Sequence, residues 1–210
     1  VTFNDYYMPN VALNDQSIDA NAFLHQPFLE QIILKSSFDI IPFGKTFIYP
    51  MGIYSKKYKS LQDVPNGVTV AIPNDPSNQA RALLLLEKAG LITLQRNVNI
   101  FATPMDIEQN PKNIIIKPMD AALIARIYNS VDLAAINTTF ALPMQLLPHR
   151  DGLVAEGPES FYANIIAIRS DDKRNPDLEK LVRAFQSKEV IKKAEKLFQG
   201  QAIPAWDKPQ

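Results

Sequence analysis

Arg81, Asn78 and Asn74 stand close together in the stretch VTVAIPNDPSNQARALLLLEKAG, residues 68–90. A guanidinium offers a rigid fork of N–H donors that matches the two oxygens of a carboxylate, and neighbouring carboxamides can donate or accept beside it. Asn137 and Asn164 are two further carboxamides attached to apolar runs, DLAAIN and FYANIIAIR. A buried amide needs hydrogen-bond partners, so each is a candidate binding group. Nucleophilic or acid–base machinery is not evident. Asp5, Asp19 and Asp75 form no paired set and no Ser–His–Asp order, and Asp19 and Asp75 read better as turn and cap residues. The chain has no cysteine, which excludes disulfides, thiolate chemistry and Cys-ligated zinc. His25 and His149 lie far apart and outside any metal-ligand spacing. The absence of a Gly-rich loop argues against a phosphate cradle. The residues therefore point to non-covalent recognition of a small carboxylate, not to an enzyme, and to no cofactor.

Two strand-to-helix units must position these groups. Val68–Ile72 is a short apolar run rich in β-branched residues, the pattern of a buried strand. Asp75 is placed to cap a helix, Pro76 suits its first position, and Gly90 suits the C′ position beyond its end. Asn78 and Arg81 then lie three apart on one face near the helix start, where backbone N–H groups lack partners. Asn74 falls just outside the carboxyl end of the strand. Asp132–Ile136 reads as a second buried strand and puts Asn137 in the same topological position. Ligands of open α/β sheets bind at such strand ends. Taken singly, each residue also has a plainer reading: Arg81 as a surface or salt-bridged arginine, Asn74 and Asn78 as turn and cap residues, Asn137 as a strand terminator.

The remaining pattern is α/β. Strands are expected at Val1–Asp5, Ser17–Phe23, Phe38–Phe43, Thr46–Tyr54, Asn113–Lys117 and Phe161–Arg169. Helices are expected near Pro9–Leu13, at Pro27–Lys35, from Thr103 to about Asn110, at Asp120–Tyr128, at Thr138–Leu146 as far as Pro143, and from Asn175 onward. In this last helix Leu178, Leu181, Val182 and Phe185 form a buried stripe, which Ile191, Ala194, Leu197 and Phe198 repeat after a break near Ser187. Trp206 is expected to plug a groove. Polar stretches at 56–66 and 148–158 suggest two crossings between two lobes: 1–66 in lobe 1, 67–152 in lobe 2, and 153–210 returning to lobe 1. The 22 basic and 22 acidic residues balance, so nothing suggests a nucleic-acid face or a polybasic membrane patch. No apolar run approaches the length of a membrane span. The chain reads as a mature fragment, since Val1 is not a natural start.

Four segments carry a specific resemblance: FNDYYMPNVALNDQSIDANAFLHQPF, IYPMGIYSKKYKSL, VAIPNDPSNQARALLLLEKAGLI and LAAINTTFA. Together they resemble the methionine-binding lipoproteins of the MetQ/NlpA family, substrate-binding components of bacterial ABC importers. The resemblance runs from Val1 to Trp206. It implies a two-lobed type II periplasmic binding protein fold with the ligand, usually L-methionine, in a cleft between the lobes. It implies a ligand shell of Tyr6, Phe23 and His25 from lobe 1, Asn78, Arg81 and Asn137 from lobe 2 with Asn74 nearby, and Asn164 on the returning strand. In that scheme Arg81 clamps the carboxylate, Asn137 and Asn164 offer amide oxygens to the ammonium, and Phe23 and Tyr6 line a thioether slot. The partner implied is a membrane permease and ATPase. The location implied is the periplasm or the outer face of the cytoplasmic membrane, through an N-terminal lipid not present in this chain. The family's first strand and helix precede the segment that begins at Val1. Two other readings stay open: a surface interaction or adhesion module on the same fold, and a site for a different small amino acid or dipeptide.

Overall fold

A computed structural model of the chain describes residues 1–98 and 100–206. It divides into two compact units. One comprises Val1–Tyr49 with the described residues from Ser160 onward, and the other Pro50–Glu159.

In the first unit, α1 (Met8–Asn14) and α2 (Gln26–Lys35) precede β1 (Ile40–Ile48). After the second unit come β9 (Ala163–Arg169), α7 (Pro176–Phe185), α8 (Lys188–Leu197) and β10 (Ile203–Pro204). The sheet has the order β10-β1-β9 and is antiparallel throughout. Leu13, Leu24, Phe28, Leu29, Ile40, Ile165 and Ala167 form one apolar layer. Ile166, Ile168 and Leu178 form another, so successive residues of β9 serve opposite faces, as strand geometry requires. The expected stripe of α7 packs with this second layer. Trp206 packs edge-on against Phe47 at 5.1 Å between ring centroids.

The second unit is built on a five-stranded sheet of order β6-β3-β7-β2-β8. Its strands are β2 (Gly52–Tyr54), β3 (Thr69–Pro73), β6 (Ile115–Met119), β7 (Leu133–Ile136) and β8 (Val154–Ala155). Strand β3 pairs in parallel with β6 and β7, while β2 runs antiparallel to β7 and β8. Helices α3 (Pro76–Lys88) and α4 (Ala121–Ile127) follow β3 and β6, and α5 (Thr138–Ala141) follows β7. A short pair, β4 (Thr93–Leu94) with β5 (Ile107–Gln109), and α6 (Pro148–Asp151) complete the unit. Val70, Ile72, Leu133 and Ala135 pack with Ala82, Leu83 and Leu86 of α3. Ala71, Ala134 and Ile136 pack on the other face with Ile124 of α4. Both faces are covered, which explains why β3 and β7 read as continuous apolar runs and not as alternating ones. Each fully buried leucine of α3 contributes about 1.5–3 kcal/mol.

Several sequence expectations change. Val1–Asp5 is not a strand, because Asp5 Oδ1 accepts hydrogen bonds from the backbone N–H groups of Tyr7 and Met8 and turns the chain into α1. Ser17–Phe23 contributes only the bridge of Asn21 to Ala167, and Arg169 holds the preceding loop by donating to the carbonyls of Leu13 and Ile18. The segment from Thr103 makes one 3-10 turn, capped by Asp106, and then enters β5. Leu197 is exposed, on the rim of the apolar stripe. The chain passes from one unit to the other at Tyr49/Pro50 and Glu159/Ser160, not at the expected 66/67 and 152/153. Strand β2 pairs with β7 and β8, which draws the segment that contains it into the second unit.

Asp132 ties the polar connector to this sheet. Its carboxylate accepts from Lys57 Nζ at 2.6 Å, Thr69 N at 2.8 Å and Thr69 Oγ1 at 2.9 Å. The Lys57 bond, then the Thr69 bonds, pull its pKa down to about 2. A carboxyl with a depressed folded-state pKa adds stability above its unfolded pKa and loses it as the pH falls through the folded one. Asp132→Asn should therefore cost about 1–3 kcal/mol at neutral pH. In acid titrations followed by circular dichroism, the gap between native and variant should close between about pH 4 and pH 2.

Candidate functional site

Asn74 and Asn137 follow β3 and β7, which pair in parallel, so both lie beyond the carboxyl ends of adjacent strands. Asn74 is exposed and its backbone N–H donates to Met119 O at 2.9 Å. Asp75 caps α3 as expected, accepting from Asn78 N at 3.0 Å. Gly90 ends the helix region with φ +70°, and its N–H donates to Glu87 O at 2.8 Å. Asn78 and Arg81 are both buried, at 2% and 3% exposure, despite lying in the first two turns of the helix.

What buries Arg81 is a residue that sequence reasoning missed. Glu156 forms a fork with it: Arg81 Nε donates to Oε1 at 2.7 Å and Nη2 to Oε2 at 2.5 Å. Glu156 Oε2 also accepts from Met51 N at 2.8 Å. The bidentate face expected to meet a ligand carboxylate thus meets an internal one. A guanidinium has five N–H donors, so this pair uses two of them. Glu156 lies in the polar stretch 148–158, 75 residues from Arg81, and no local spacing links the two. The only sequence signal was the need of a buried arginine for an anion.

The carboxamides form a connected chain. Asn78 Nδ2 donates to Asp75 Oδ1 at 3.0 Å and Oδ2 at 3.2 Å, and Asn137 Nδ2 donates to Asn78 Oδ1 at 2.9 Å. Burial pushes the Asp75 carboxyl pKa up, against the opposing hydrogen bonds from Asn78 and Ser77. Asn137 Oδ1 is buried with no hydrogen-bond partner.

In the first unit, the other expected residues cluster. The ring of Tyr6 lies 6.0 Å from those of Phe23 and Phe28, and the ring of His25 lies 6.1 Å from Phe28 and 5.0 Å from Tyr162. His25 caps α2: its Nδ1 accepts from Phe28 N at 3.2 Å, which puts the proton of the neutral ring on Nε2. Asn164, on β9, bridges His25 and donates through Nδ2 to Phe23 O at 3.0 Å. Its Oδ1 is the acceptor end of the amide. Phe28 and Tyr162 complete this aromatic group, and neither was among the expected site residues. Among the described residues, no three His, Asp or Glu side chains gather in a way that could hold a metal ion. Among them too, no helix is long and apolar enough to cross a membrane.

An α/β chain with paired strand-end carboxamides, a buried arginine and an aromatic group has the ingredients of an amino-acid-binding protein. The family model described as NlpA lipoprotein matches residues 1–206, and the chain belongs to that family. It is 46% identical over 98% of its length to the D-methionine-binding lipoprotein MetQ of Salmonella typhi, spanning 77% of that protein. The solved periplasmic substrate-binding protein of an ABC transporter from Coxiella burnetii is 53% identical, with a TM-score of 0.95 over 98% of this chain and 86% of that one. A nutrient-binding protein from Burkholderia cenocepacia, solved bound to methionine, is 44% identical, with a TM-score of 0.94 over 98% of this chain and 87% of that one.

The Arg81–Glu156 pair makes a direct stability prediction. Glu156→Gln leaves a buried guanidinium without its anion and should cost about 3–5 kcal/mol in urea unfolding. Arg81→Met in the same chain should restore most of that loss, because the glutamine still accepts from Met51 N and neither charge of the pair remains.

Proposed function

We propose that this chain binds methionine outside the cytoplasm and delivers it to an ABC importer. The observation that carries the reading is the likeness, at 44% identity and a TM-score of 0.94, to a protein solved with methionine bound. The chemistry of both units agrees with it. The second unit supplies one guanidinium (Arg81), two carboxylates (Asp75 and Glu156) and three carboxamides (Asn74, Asn78 and Asn137), a set that can satisfy a zwitterion's carboxylate and ammonium. Arg81, which Glu156 already holds through Nε and Nη2, is the group proposed for the carboxylate, with Asn78 and Asn74 near it in sequence. Asn137, and Asn164 from the first unit, are proposed for the ammonium. Tyr6, Phe23 and His25 are proposed for the side chain, since sulfur–aromatic contacts add roughly 0.3–1.5 kcal/mol each. The L enantiomer is the proposed ligand. A lipid-anchored location follows the lipoprotein names of the relatives.

The test is calorimetric titration of protein refolded to strip any carried ligand. Methionine should bind with a stoichiometry of about one, and Arg81→Ala should lose about 2–5 kcal/mol of affinity. Titrating L- and D-methionine side by side decides the enantiomer. Failure of both to bind would sink the reading. Norleucine, which replaces the sulfur with a methylene, should bind measurably but more weakly than methionine. Equal affinity for methionine, norleucine and leucine would mean that Tyr6 and Phe23 form no sulfur-selective slot.

A further inference from the structure

We infer that Asp75, through Asn78, fixes the orientation of the Asn137 amide, and that this makes the site select an α-ammonium over an α-keto group. The inference rests on the methionine reading and adds to it a positioning residue that touches no ligand.

A carboxamide looks nearly the same either way round, and an isolated one can present its oxygen or its nitrogen to a ligand. Here the choice is made by a charge at one end of a chain. The Asp75 carboxylate is an acceptor only, so the end of Asn78 that faces it must be the NH2 group, and both its oxygens lie within 3.2 Å of Asn78 Nδ2. The oxygen of Asn78 then points the other way and can only accept. It accepts from Asn137 Nδ2 at 2.9 Å. Asn137 is left presenting its oxygen, and that oxygen is the one with no partner although the residue is only 7% exposed. Reversing Asn137 would set its oxygen against the Asn78 oxygen. Reversing both would set an oxygen against the carboxylate. Each reversal replaces a hydrogen bond by a lone-pair repulsion in a buried place, where the loss is largest.

The rest of the second unit prevents escape by backbone movement. Asp75 is held at the start of α3 by its own capping bond to Asn78 N and by Ser77 Oγ, which donates at 3.0 Å. The backbone carbonyl of Asn137 accepts from Phe140 N and Ala141 N as α5 begins. Thr138, the next residue, donates from Oγ1 to Pro50 O at 2.6 Å. An orphaned, rigidly aimed oxygen demands a donor. An α-ammonium supplies one, and an α-keto oxygen cannot. A site whose polar group is left unpaired by the wrong ligand discriminates far more strongly than one that merely loses a contact.

The experiment titrates native protein and two variants with methionine and with its α-keto analogue, 4-methylthio-2-oxobutanoate. Native protein should prefer methionine by about 100-fold or more. Asp75→Asn keeps an oxygen for the helix cap but adds an NH2 group, so a reversed Asn78 now finds a donor. That variant should lower the preference by about tenfold, mainly by improving keto-acid binding. Asn137→Ala removes the oriented oxygen and should lower the preference at least as far. A change of equal factor for both ligands in Asp75→Asn would make Asp75 a helix cap and nothing more, and would overturn the inference. Equal binding of both ligands by native protein would overturn it as well. The ligand-free protein gives an independent readout: the side-chain amide protons of Asn78 and Asn137 should exchange slowly in NMR, and fast exchange would contradict the fixed chain. Native protein that takes neither ligand overturns the methionine reading itself, a result distinct from loss of the preference.

Discussion

A positive charge buried at 3% exposure constrains everything around it. An unpaired guanidinium at Arg81 would be prohibitively costly in that setting, so the fold must deliver an anion to it. Glu156 arrives from the far end of the second unit, next to β8, whose pairing with β2 fixes its approach. The same carboxylate accepts from Met51 N, just ahead of β2. One ion pair therefore joins the start of α3, the entry to β2 and the exit of β8. A buried pair of this kind is weak evidence for stability, because its desolvation offsets most of its attraction. Its value lies in geometry: it fixes where the guanidinium stands.

The carboxamides obey the same logic with a smaller charge. Asp75 does two jobs with one side chain, closing the first turn of α3 and polarising Asn78. The second is possible only because Asn78 sits three residues into the helix, where its side chain and its backbone N–H both face the cap. The parallel pairing of β3 and β7 then brings Asn137 within reach, although it is 59 residues distant in the chain. Local capping and sheet topology are separate constraints, and the amide chain exists where they intersect.

How much of this was legible depends on the range of the interaction. The strand, cap and helix around Asn78 and Arg81 follow from neighbours in sequence, and Asp75, Pro76 and Gly90 act at their expected positions. The strand-end placement of Asn137 was legible too, since it needs only the end of an apolar run. Glu156 was not, because a glutamate among turn residues carries no mark of its distant partner. The expected strand at Val1–Asp5 failed for a converse reason: its alternation is real, but a strand exists through pairing, and Asp5 Oδ1 offers the following backbone N–H groups a competing acceptor. The first polar connector misled on the division of the chain, since polarity there reflects a surface run, while the pairing of β2 with β7 decides which unit holds it.

Charge count explains why a zwitterion, and not a simple carboxylic acid, suits the second unit. Glu156 already neutralises Arg81, so the guanidinium is not a bare cation seeking an anion. Asp75 adds a further carboxylate, and burial opposes its charge. A ligand carrying only a carboxylate would add a third negative charge to those of Asp75 and Glu156, against the positive charge of Arg81. A ligand that also carries an ammonium would leave the total unchanged and, at the site proposed above, would bring a donor to Asn137 Oδ1, which lacks one. Selectivity then comes from what the protein leaves unsatisfied and not from the strength of any one contact, since an orphaned buried acceptor penalises every ligand that cannot complete it.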